Sequence, residues 1–144
     1  MKQLIDILHK GHCSCVIEKE GKIYQFTRKG IADLYDIYHS TPQLLQGASV
    51  ADKIIGKAAA ALLVLGGVSE VYADIISASA LHLLQENHIA TSFNTQTEYI
   101  RNRHNDGWCP MEQLCAPQHS PSDIYQTIEQ FINQPRTKQP VITI

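Results

Sequence analysis

The stretch SVADKIIGKAAAALLVLGG, residues 49–67, constrains the fold more than any other part of the chain. Residues 58–65 carry no polar side chain, and a helix that is apolar on every side is buried on every side. We predict one helix from Ser49 to Leu65, opened by a capping box between Ser49 and Asp52 and ended by the glycine pair that follows. Such a helix requires other elements packed around it.

The sequence on either side predicts those surrounding elements. Apolar residues at helical spacing indicate amphipathic helices, and alternating segments that flank a Glu-Gly pair indicate a β-hairpin. Helices are expected at residues 3–10, 31–38, 77–85 and 120–132, with a further one that begins at Cys109, and strands are expected at residues 13–18, 22–27, 68–76 and 91–95.

Buried helices that alternate with strands are typical of an α/β protein. We predict a three-layer α/β/α sandwich with a mixed sheet of about five strands, parallel after the initial hairpin and covered by helices on both faces. Residues 1–134 are expected to form a single domain. Residues 135–144, which contain Pro135 and Pro140, are expected to form a C-terminal tail.

The bulk composition indicates an ordinary globular protein. Of the 144 residues, 44% are hydrophobic and 18% are charged, which favours one folded domain over disorder. The formal net charge of -2 provides no basic field for nucleic acid. The longest apolar run, residues 58–68, is too short to span a membrane. We therefore expect neither a nucleic acid nor a membrane as a partner.

The start of the chain and its cysteines bear on the cellular compartment. Residues 1–3 lead straight into an amphipathic pattern without the features of a signal peptide. Four cysteines in a chain of this size fit a reducing compartment in which thiols stay free. We expect a cytoplasmic protein.

A second stretch, NRHNDGWCPME at residues 102–112, indicates a site. Pro110 suits the first helical position, since the N–H that it lacks would have no partner there. Cys109 is then the capping residue, and the Glu112 side chain can reach back to the N–H of the cap. A thiol in that position lies at the positive end of the helix dipole and is expected to lose its proton more easily.

Several residues are candidates for binding an anion. Lys57 is the last charged residue before the apolar positions, and Lys53 lies one turn earlier in the predicted helix. The two ammonium groups can grip a phosphate or carboxylate, or extend into solvent. Asn102 and Arg103 offer further donors. Ser77 can cap its own helix, which we favour, or help to cradle an anion.

The candidate chemical groups also have simpler structural explanations. Cys109 can be a helix cap with a buried sulfur, and we favour this reading because His104 is the one general base nearby in sequence. Glu112 is explained by the capping box with Cys109, and Asp52 by the one with Ser49. Whether Cys109 is reactive is left open.

These motifs together resemble a small prokaryotic family known as domain of unknown function 1893. The resemblance covers residues 4–132, nearly the whole chain, and implies a cytidine-deaminase-like fold, while the family name implies no particular activity. The matching segments are residues 51–60 (ADKIIGKAAA), 71–74 (VYAD), Ser77, residues 102–103 (NR) and residues 109–112 (CPME).

Comparison with true deaminases argues against their chemistry. They carry His-x-Glu or Cys-x-Glu at the start of one buried helix and Pro-Cys-x-x-Cys at the start of the next, where these residues hold zinc and a general acid/base. Here the corresponding starts are expected at residues 52–57 and 77–80, which contain no His or Cys. Cys109 and Cys115 do not have a zinc-knuckle spacing either. We expect no metal, no other cofactor and no hydrolytic deamination.

Three functions stay open. We favour a small-molecule-binding domain for a nucleotide-like or other anionic ligand, without zinc-dependent deaminase chemistry. The alternatives are a metal-independent enzyme that uses Cys109 or Asp52 together with Lys57 on a nucleotide-like substrate, and a thiol redox protein. An enzyme requires its polar groups to converge at one pocket, whereas a binding module requires only the pocket.

The predicted topology also places the site. Helices that follow parallel strands begin at the carboxyl edge of the sheet, where ligands usually bind. We expect the helix starts at Asp52, Ser77 and Cys109 to converge there. A phosphate-bearing or carboxylate-bearing ligand is expected beside Lys57, Ser77, Arg103 and Cys109. The oligomeric state is left open, and a homodimer is one outcome that we consider.

Overall fold

A computed structural model describes residues 1–28, 30–101, 107 and 109–133. These residues form six α-helices, five strands and one 3₁₀ turn at Pro42–Leu44. The helices are α1 (Lys2–Lys10), α2 (Ala32–Ser40), α3 (Lys57–Gly66), α4 (Ala78–Glu86), α5 (Pro110–Cys115) and α6 (Pro121–Ile132). The strands are β1 (Cys15–Lys19), β2 (Lys22–Phe26), β3 (Ser49–Ile55), β4 (Glu70–Ser77) and β5 (Ala90–Thr97).

The strands form one mixed sheet in the order β2-β1-β3-β4-β5. β1 is antiparallel to β2 and β3, whereas β3 is parallel to β4 and β4 is parallel to β5. The hairpin between β1 and β2 turns through Glu20 and Gly21, whose φ angles of 52° and 80° match the right-handed twist of the flanking strands. The predictions of an α/β protein, a mixed sheet and about five strands are confirmed.

The fifth strand lies where a helix was predicted. Residues Ser49–Ile55 form β3, so the prediction of a helix from Ser49 and of a capping box with Asp52 is wrong. β-branched residues favour a strand at this position, and β3 satisfies its backbone by pairing with β1 on one side and β4 on the other. The Ser49 hydroxyl donates 2.9 Å across the sheet to the Glu70 carboxylate instead of capping a helix.

Successive residues of the central strands belong to two separate hydrophobic clusters. Val16, Ala51 and Tyr72 lie side by side on β1, β3 and β4 and pack with Leu4 and Leu8 of α1. The next row along the strands belongs to a larger cluster that takes apolar side chains from α2 through α6. This alternation is what the two-residue period of a strand produces in a sheet buried on both faces.

Helix α3 lies at the centre of the larger cluster. Its residues 57–63 are buried, and the helix contacts α2, α4, α5 and α6, which explains the absence of a polar face. It ends as predicted at Gly66 and Gly67, where Gly67 adopts a left-handed φ of 77°. In the described ranges no helix is both long and apolar enough to cross a membrane.

We predict that Ala60→Leu lowers the free energy of unfolding by about 1–3 kcal/mol, because Ala60 is fully buried and a larger side chain overpacks the contact between α3 and its neighbours. Urea denaturation measures the change. Ala78→Leu at the exposed start of α4 is the matched control and should leave the midpoint nearly unchanged. An unaltered midpoint for Ala60→Leu would show that this side of α3 has free space.

Candidate functional site

A small cavity lies where the chain enters three helices, α2, α3 and α5. The volume open to the centre of a water molecule is about 20 Å³, which is enough for one water, and about 310 Å³ of empty space is present when the opening to solvent is included. The lining consists of Gly30, Ile31, Ile54, Gly56, Ala58, Ala59, Ile100, Cys109, Met111 and Glu112.

The topology explains why these segments meet. β3 ends at Ile55 and passes through Gly56 directly into α3, at the carboxyl edge of the parallel part of the sheet, where α/β proteins usually bind ligands. The start of α5 is tied to the segment after β5 because the Cys109 N–H donates 2.8 Å to the carbonyl of Ile100. Pro110 occupies the first turn of α5, as predicted.

The set of converging helix starts differs from the predicted one. Asp52 lies inside β3 and not at a helix start, so that part of the prediction is wrong. Ser77 is the N-cap of α4, where its hydroxyl accepts from the N–H of Ala80 at 3.2 Å, but it does not line the cavity. The third helix start at the cavity, beside those of α3 and α5, is that of α2, where Gly30 and Ile31 line the cavity.

Glu112 caps a helix, but not its own. Its Oε1 accepts from the backbone N–H of Lys57 at 2.8 Å, and its Oε2 accepts from the N–H of Ile100 at 2.9 Å. Gly56 permits this contact, because a Cβ there would lie 3.1 Å from Oε1. The predicted bond from the Cys109 N–H to Glu112 is wrong. The buried carboxylate lies at the positive end of the α3 dipole, which stabilises its charge.

Lys57 completes a reciprocal arrangement. Its ammonium donates 3.0 Å to the carbonyl of Ala116, the residue that follows the last turn of α5. Thus α5 supplies the acceptor for the start of α3, and α3 supplies the donor for the end of α5. The Lys57 side chain is buried in this contact, and Lys57 does not line the cavity. We call this pair of contacts the α3–α5 clasp.

Lys53 lies on β3 and not one helical turn before Lys57, so the predicted shared helix face is wrong. Its backbone N–H donates 3.1 Å to the carbonyl of Ser14, and its side chain is half-buried. The anion grip proposed for the two lysines therefore lacks the geometry on which it was based.

Two backbone N–H groups at the start of α3 have no acceptor among the described residues. The first four N–H groups of a helix lack partners inside the helix. Lys57 donates to Glu112, and Ala60 donates to the carbonyl of Gly56. Nothing in the described part of the chain accepts from Ala58 or Ala59, and both residues line the cavity. The cavity is thus lined by two residues whose N–H groups lack a described acceptor, at the positive end of a ten-residue helix.

The thiol of Cys109 is buried in the cavity wall, with 1% of the residue exposed. Burial raises its pKa, and the backbone N–H groups of Glu112 and Met111 oppose that change with a smaller effect. The N–H groups at the helix start therefore lower the pKa of Cys109, as predicted, but the rise in pKa caused by desolvation is larger. The prediction that Cys109 loses its proton easily is wrong.

We accordingly predict that Cys109 in the folded protein reacts slowly with a disulfide probe at pH 7.5, since the thiolate is the reactive form and burial restricts access. Cysteine-resolved mass spectrometry after timed labelling measures the rate. The control is the same protein in urea, where all four thiols should react rapidly. Fast labelling of native Cys109 would show that the cavity wall opens.

The other three cysteines are also buried and free. Burial is the main cause that raises the pKa of Cys15, and it raises the pKa of Cys115 to about 12. Cys13 and Cys15 pack in different hydrophobic clusters, although their spacing in the sequence predicts that they share one face of a strand. All four thiols are free and buried.

Asp52 is an ionisable group in the protein interior. It lies opposite Cys15 in the β1–β3 register and is 8% exposed. Burial raises its pKa to about 7, although the N–H of Ile54, which donates to it at 3.2 Å, favours the charged form. Asp52 does not line the cavity.

Three predicted site residues, Asn102, Arg103 and His104, lie outside the described residues. Among the residues that are described, no three His, Cys, Asp or Glu side chains are grouped so as to hold a metal ion. The expectation of a metal-free protein stays a prediction.

Sequence reasoning missed the cavity residues from other parts of the chain, namely Gly30, Ile31 and Ile100. One signal was available for the first two, because a glycine directly before a predicted helix often marks a close approach of backbones. Ile100 lies after β5 in a segment with no helix or strand pattern, and no local signal identified it.

Comparison with known proteins relates the chain to a family and to a solved structure. Residues 3–132 match the family described as Domain of unknown function (DUF1893). The crystal structure of a DUF1893 family protein (TM1506) from Thermotoga maritima superposes with a TM-score of 0.83 at 23% identity, over 90% of this chain and 87% of that one. No curated protein matches.

More distant likenesses are to two forms of Acinetobacter baumannii RibD. Their TM-scores are 0.43 and 0.44 at 17% identity, over 65% of this chain and 33% of that one. Likenesses at this level support no inference about the site.

Proposed function

We propose that this chain, which belongs to the DUF1893 family, is a ligand-binding module that receives a hydrogen-bond acceptor of a small molecule in the cavity at the starts of α2, α3 and α5. One observation carries the proposal. The N–H groups of Ala58 and Ala59 have no described acceptor, and they adjoin a cavity with room for a single oxygen-sized group. An oxygen atom of a ligand would satisfy both donors.

The geometry favours binding over catalysis. An enzyme of the kind considered above would bring Cys109, Asp52 and Lys57 together. Instead, Cys109 lines the cavity, Asp52 lies beside Cys15 within the sheet, and the Lys57 ammonium contacts the end of α5. The raised pKa of Cys109 also disfavours a nucleophile.

The charge of the cavity narrows the ligand class. The Glu112 carboxylate is part of the lining and already occupies the N–H of Lys57. A second full negative charge beside it would be repelled, so we infer a neutral acceptor, such as a carbonyl oxygen. A nucleotide-like ligand fits if its base carbonyl enters the cavity and its phosphate stays outside. The sequence led us to expect an anionic group at the site, whereas we now propose that a neutral group of the ligand enters the cavity.

We also infer that the chain has the three-layer α/β/α arrangement of a cytidine-deaminase-like fold. The division of the apolar residues into two clusters, one containing α1 and the other α2 to α6, supports it. Four free cysteines support a reducing, cytoplasmic location.

Native mass spectrometry of protein purified without added ligand tests whether a small molecule is retained. Isothermal titration with uridine, cytidine and inorganic phosphate then tests the ligand class. We expect a nucleoside to bind and phosphate alone not to bind. Binding of phosphate without nucleoside would contradict the neutral-acceptor proposal.

A variant connects binding to the cavity. Ala59→Leu should fill the cavity and weaken nucleoside binding at least about tenfold, equivalent to about 1.4 kcal/mol. Val64→Leu, on a half-buried position of the same helix, adds bulk without reaching the cavity and should bind normally. A retained or titrated ligand that binds Ala59→Leu with unchanged affinity would overturn the proposed location.

A further inference from the structure

The Glu112 carboxylate has more acceptor capacity than the described part of the chain uses. An ionised carboxylate offers about four lone-pair sites on its two oxygens. Within the described ranges, the backbone N–H of Lys57 takes one site on Oε1 and the N–H of Ile100 takes one on Oε2. The remaining sites face protein or the cavity, because Glu112 is 5% exposed and lines the cavity.

Both oxygens of this carboxylate lie beside the start of α3. A Cβ at Gly56 would be 3.1 Å from Oε1 and 3.3 Å from Oε2, and Gly56 lines the same cavity. Ala58 and Ala59, whose N–H groups lack a described acceptor, follow Gly56 within one turn of the helix. The cavity therefore has hydrogen-bond donors and an acceptor side by side.

The rest of the lining is mainly apolar. Large apolar side chains come from α2, α5, the end of β3 and the segment after β5, namely Ile31, Met111, Ile54 and Ile100. The empty space of about 310 Å³, which includes the opening, is at the small end of the range for ligand pockets. An apolar pocket with a few polar groups at one place orients a ligand through those groups.

We infer that the ligand of this cavity presents the edge of a cyclic amide or imide. Its carbonyl oxygen accepts from the N–H groups of Ala58 and Ala59. The ring N–H bonded to the same carbonyl carbon donates to the Glu112 carboxylate. This inference rests on the proposed function, and it assigns to Glu112 a role in ligand specificity in addition to its contact with α3.

The geometry of the amide group explains why a ring is needed. In an open-chain secondary amide the trans form is strongly preferred, so the C=O and the N–H point in opposite directions. The cis form costs about 2.5–4 kcal/mol. A small ring fixes the cis form, and both groups then point to the same edge. A primary amide has the same edge but no ring to contact the apolar lining.

The charges in the cavity also favour this chemical class. A cationic group would be attracted to Glu112 but would lie at the positive end of the α3 dipole. A phosphate or carboxylate would satisfy the N–H groups of Ala58 and Ala59 but would be repelled by Glu112. A neutral edge with one acceptor and one donor avoids both costs.

The inferred edge distinguishes uridine from cytidine. The N3 atom of uridine carries a hydrogen next to a ring carbonyl, so it can donate to Glu112. The N3 atom of cytidine is an acceptor next to the carbonyl, so its lone pair would face the carboxylate and both would lack a donor. We expect cytidine to bind at least about tenfold more weakly than uridine in isothermal titration. Equal or tighter binding of cytidine would contradict the inference.

Two isomeric ligands test the ring N–H directly on the wild-type chain. In 3-methyluridine a methyl group replaces the hydrogen on N3, whereas 2′-O-methyluridine carries the same methyl group on the ribose. We expect 3-methyluridine to bind at least about tenfold more weakly than uridine, and 2′-O-methyluridine to bind within about threefold of uridine. Equal affinity of 3-methyluridine and uridine would overturn the cyclic-amide edge but leave the proposed cavity standing. Absence of binding by every nucleoside would overturn the proposed function and this inference with it.

A variant assigns the discrimination to Glu112. Glu112→Gln keeps one oxygen and replaces the other by an NH₂ donor, so the preference for uridine over 3-methyluridine should fall below about threefold. Both affinities are measured on one sample, so any loss of folded protein cancels in their ratio. Glu86→Gln, at an exposed glutamate on α4, is the control and should keep the full preference. A full preference in Glu112→Gln would show that another group accepts from the ring N–H, and it would overturn the role of Glu112. The isomer pair is measured on wild-type protein and does not depend on whether Glu112→Gln folds.

Discussion

Glu112→Ala should lower the free energy of unfolding by about 2–6 kcal/mol, the largest loss that we expect from any single substitution in the site. The carboxylate accepts from the backbone N–H groups of Lys57 and Ile100, and Glu112 is 5% exposed. Its removal leaves two buried donors without acceptors, and each unsatisfied group costs about 1–3 kcal/mol. Urea denaturation followed by circular dichroism measures the change.

A conservative variant separates loss of the acceptor from loss of the side chain. Glu112→Gln keeps one carbonyl oxygen but directs an NH₂ donor at the second N–H, so we expect about half the loss seen with alanine. Glu86→Gln, at an exposed glutamate on α4, is the control and should change stability by less than about 0.5 kcal/mol. Equal stability of Glu112→Ala and the wild type would show that water can replace the carboxylate.

Asp52→Asn should stabilise the protein at neutral pH and should do so increasingly as the pH rises. Burial raises the pKa of Asp52 from 3.8 to about 7 in the folded protein, so between these values the folded state holds a proton that the unfolded state has released. Stability from this group is therefore full below about pH 4 and is lost as pH rises towards 7. Asparagine does not ionise, so the variant avoids this loss.

The size of the stabilisation expected for Asp52→Asn follows from the pH range over which the folded and unfolded states differ by one proton. Each pH unit over which the two states differ by one proton is worth about 1.4 kcal/mol, which gives about 4 kcal/mol between pH 4 and pH 8. The measured quantity is the difference in unfolding free energy between Asp52→Asn and wild type at each pH, since other ionisable groups cancel. Asp6→Asn, at an exposed position of α1, should give a flat difference. A flat difference for Asp52→Asn would mean that Asp52 ionises normally.

Local patterns in the sequence predicted most elements of this fold. Residues 3–10, the hairpin and residues 120–132 were recognisable because periodicity, turn residues and caps act within a few positions of each other. β3 was not recognisable, because Ser49 and Asp52 imitate a capping box and the apolar run that follows is truly helical. Residues 49–55 form a strand because they pair with β1 and β4, which are distant in sequence.

In the site, too, features that depend on sequence neighbours were predictable and features that depend on distant residues were not. Pro110 and the capping position of Cys109 were predictable, since both depend on their immediate neighbours. The acceptor role of Glu112 was not, because its partner Lys57 precedes it by 55 positions. The pKa of Cys109 was misjudged for a related reason, since the helix dipole can be read from sequence whereas burial depends on the assembled fold.

The α3–α5 clasp has a consequence for the order in which a ribosome delivers the parts of this protein. Synthesis proceeds from the N-terminus, so α3 and its neighbouring strands emerge well before Glu112. Until then the Lys57 N–H has no Glu112 carboxylate and the Lys57 ammonium has no Ala116 carbonyl. The cavity-lining residues of α2 and α3 are synthesised before those of α5. The pocket is therefore a late product of translation, and a nascent chain that ends before residue 112 has the helix but not the finished site.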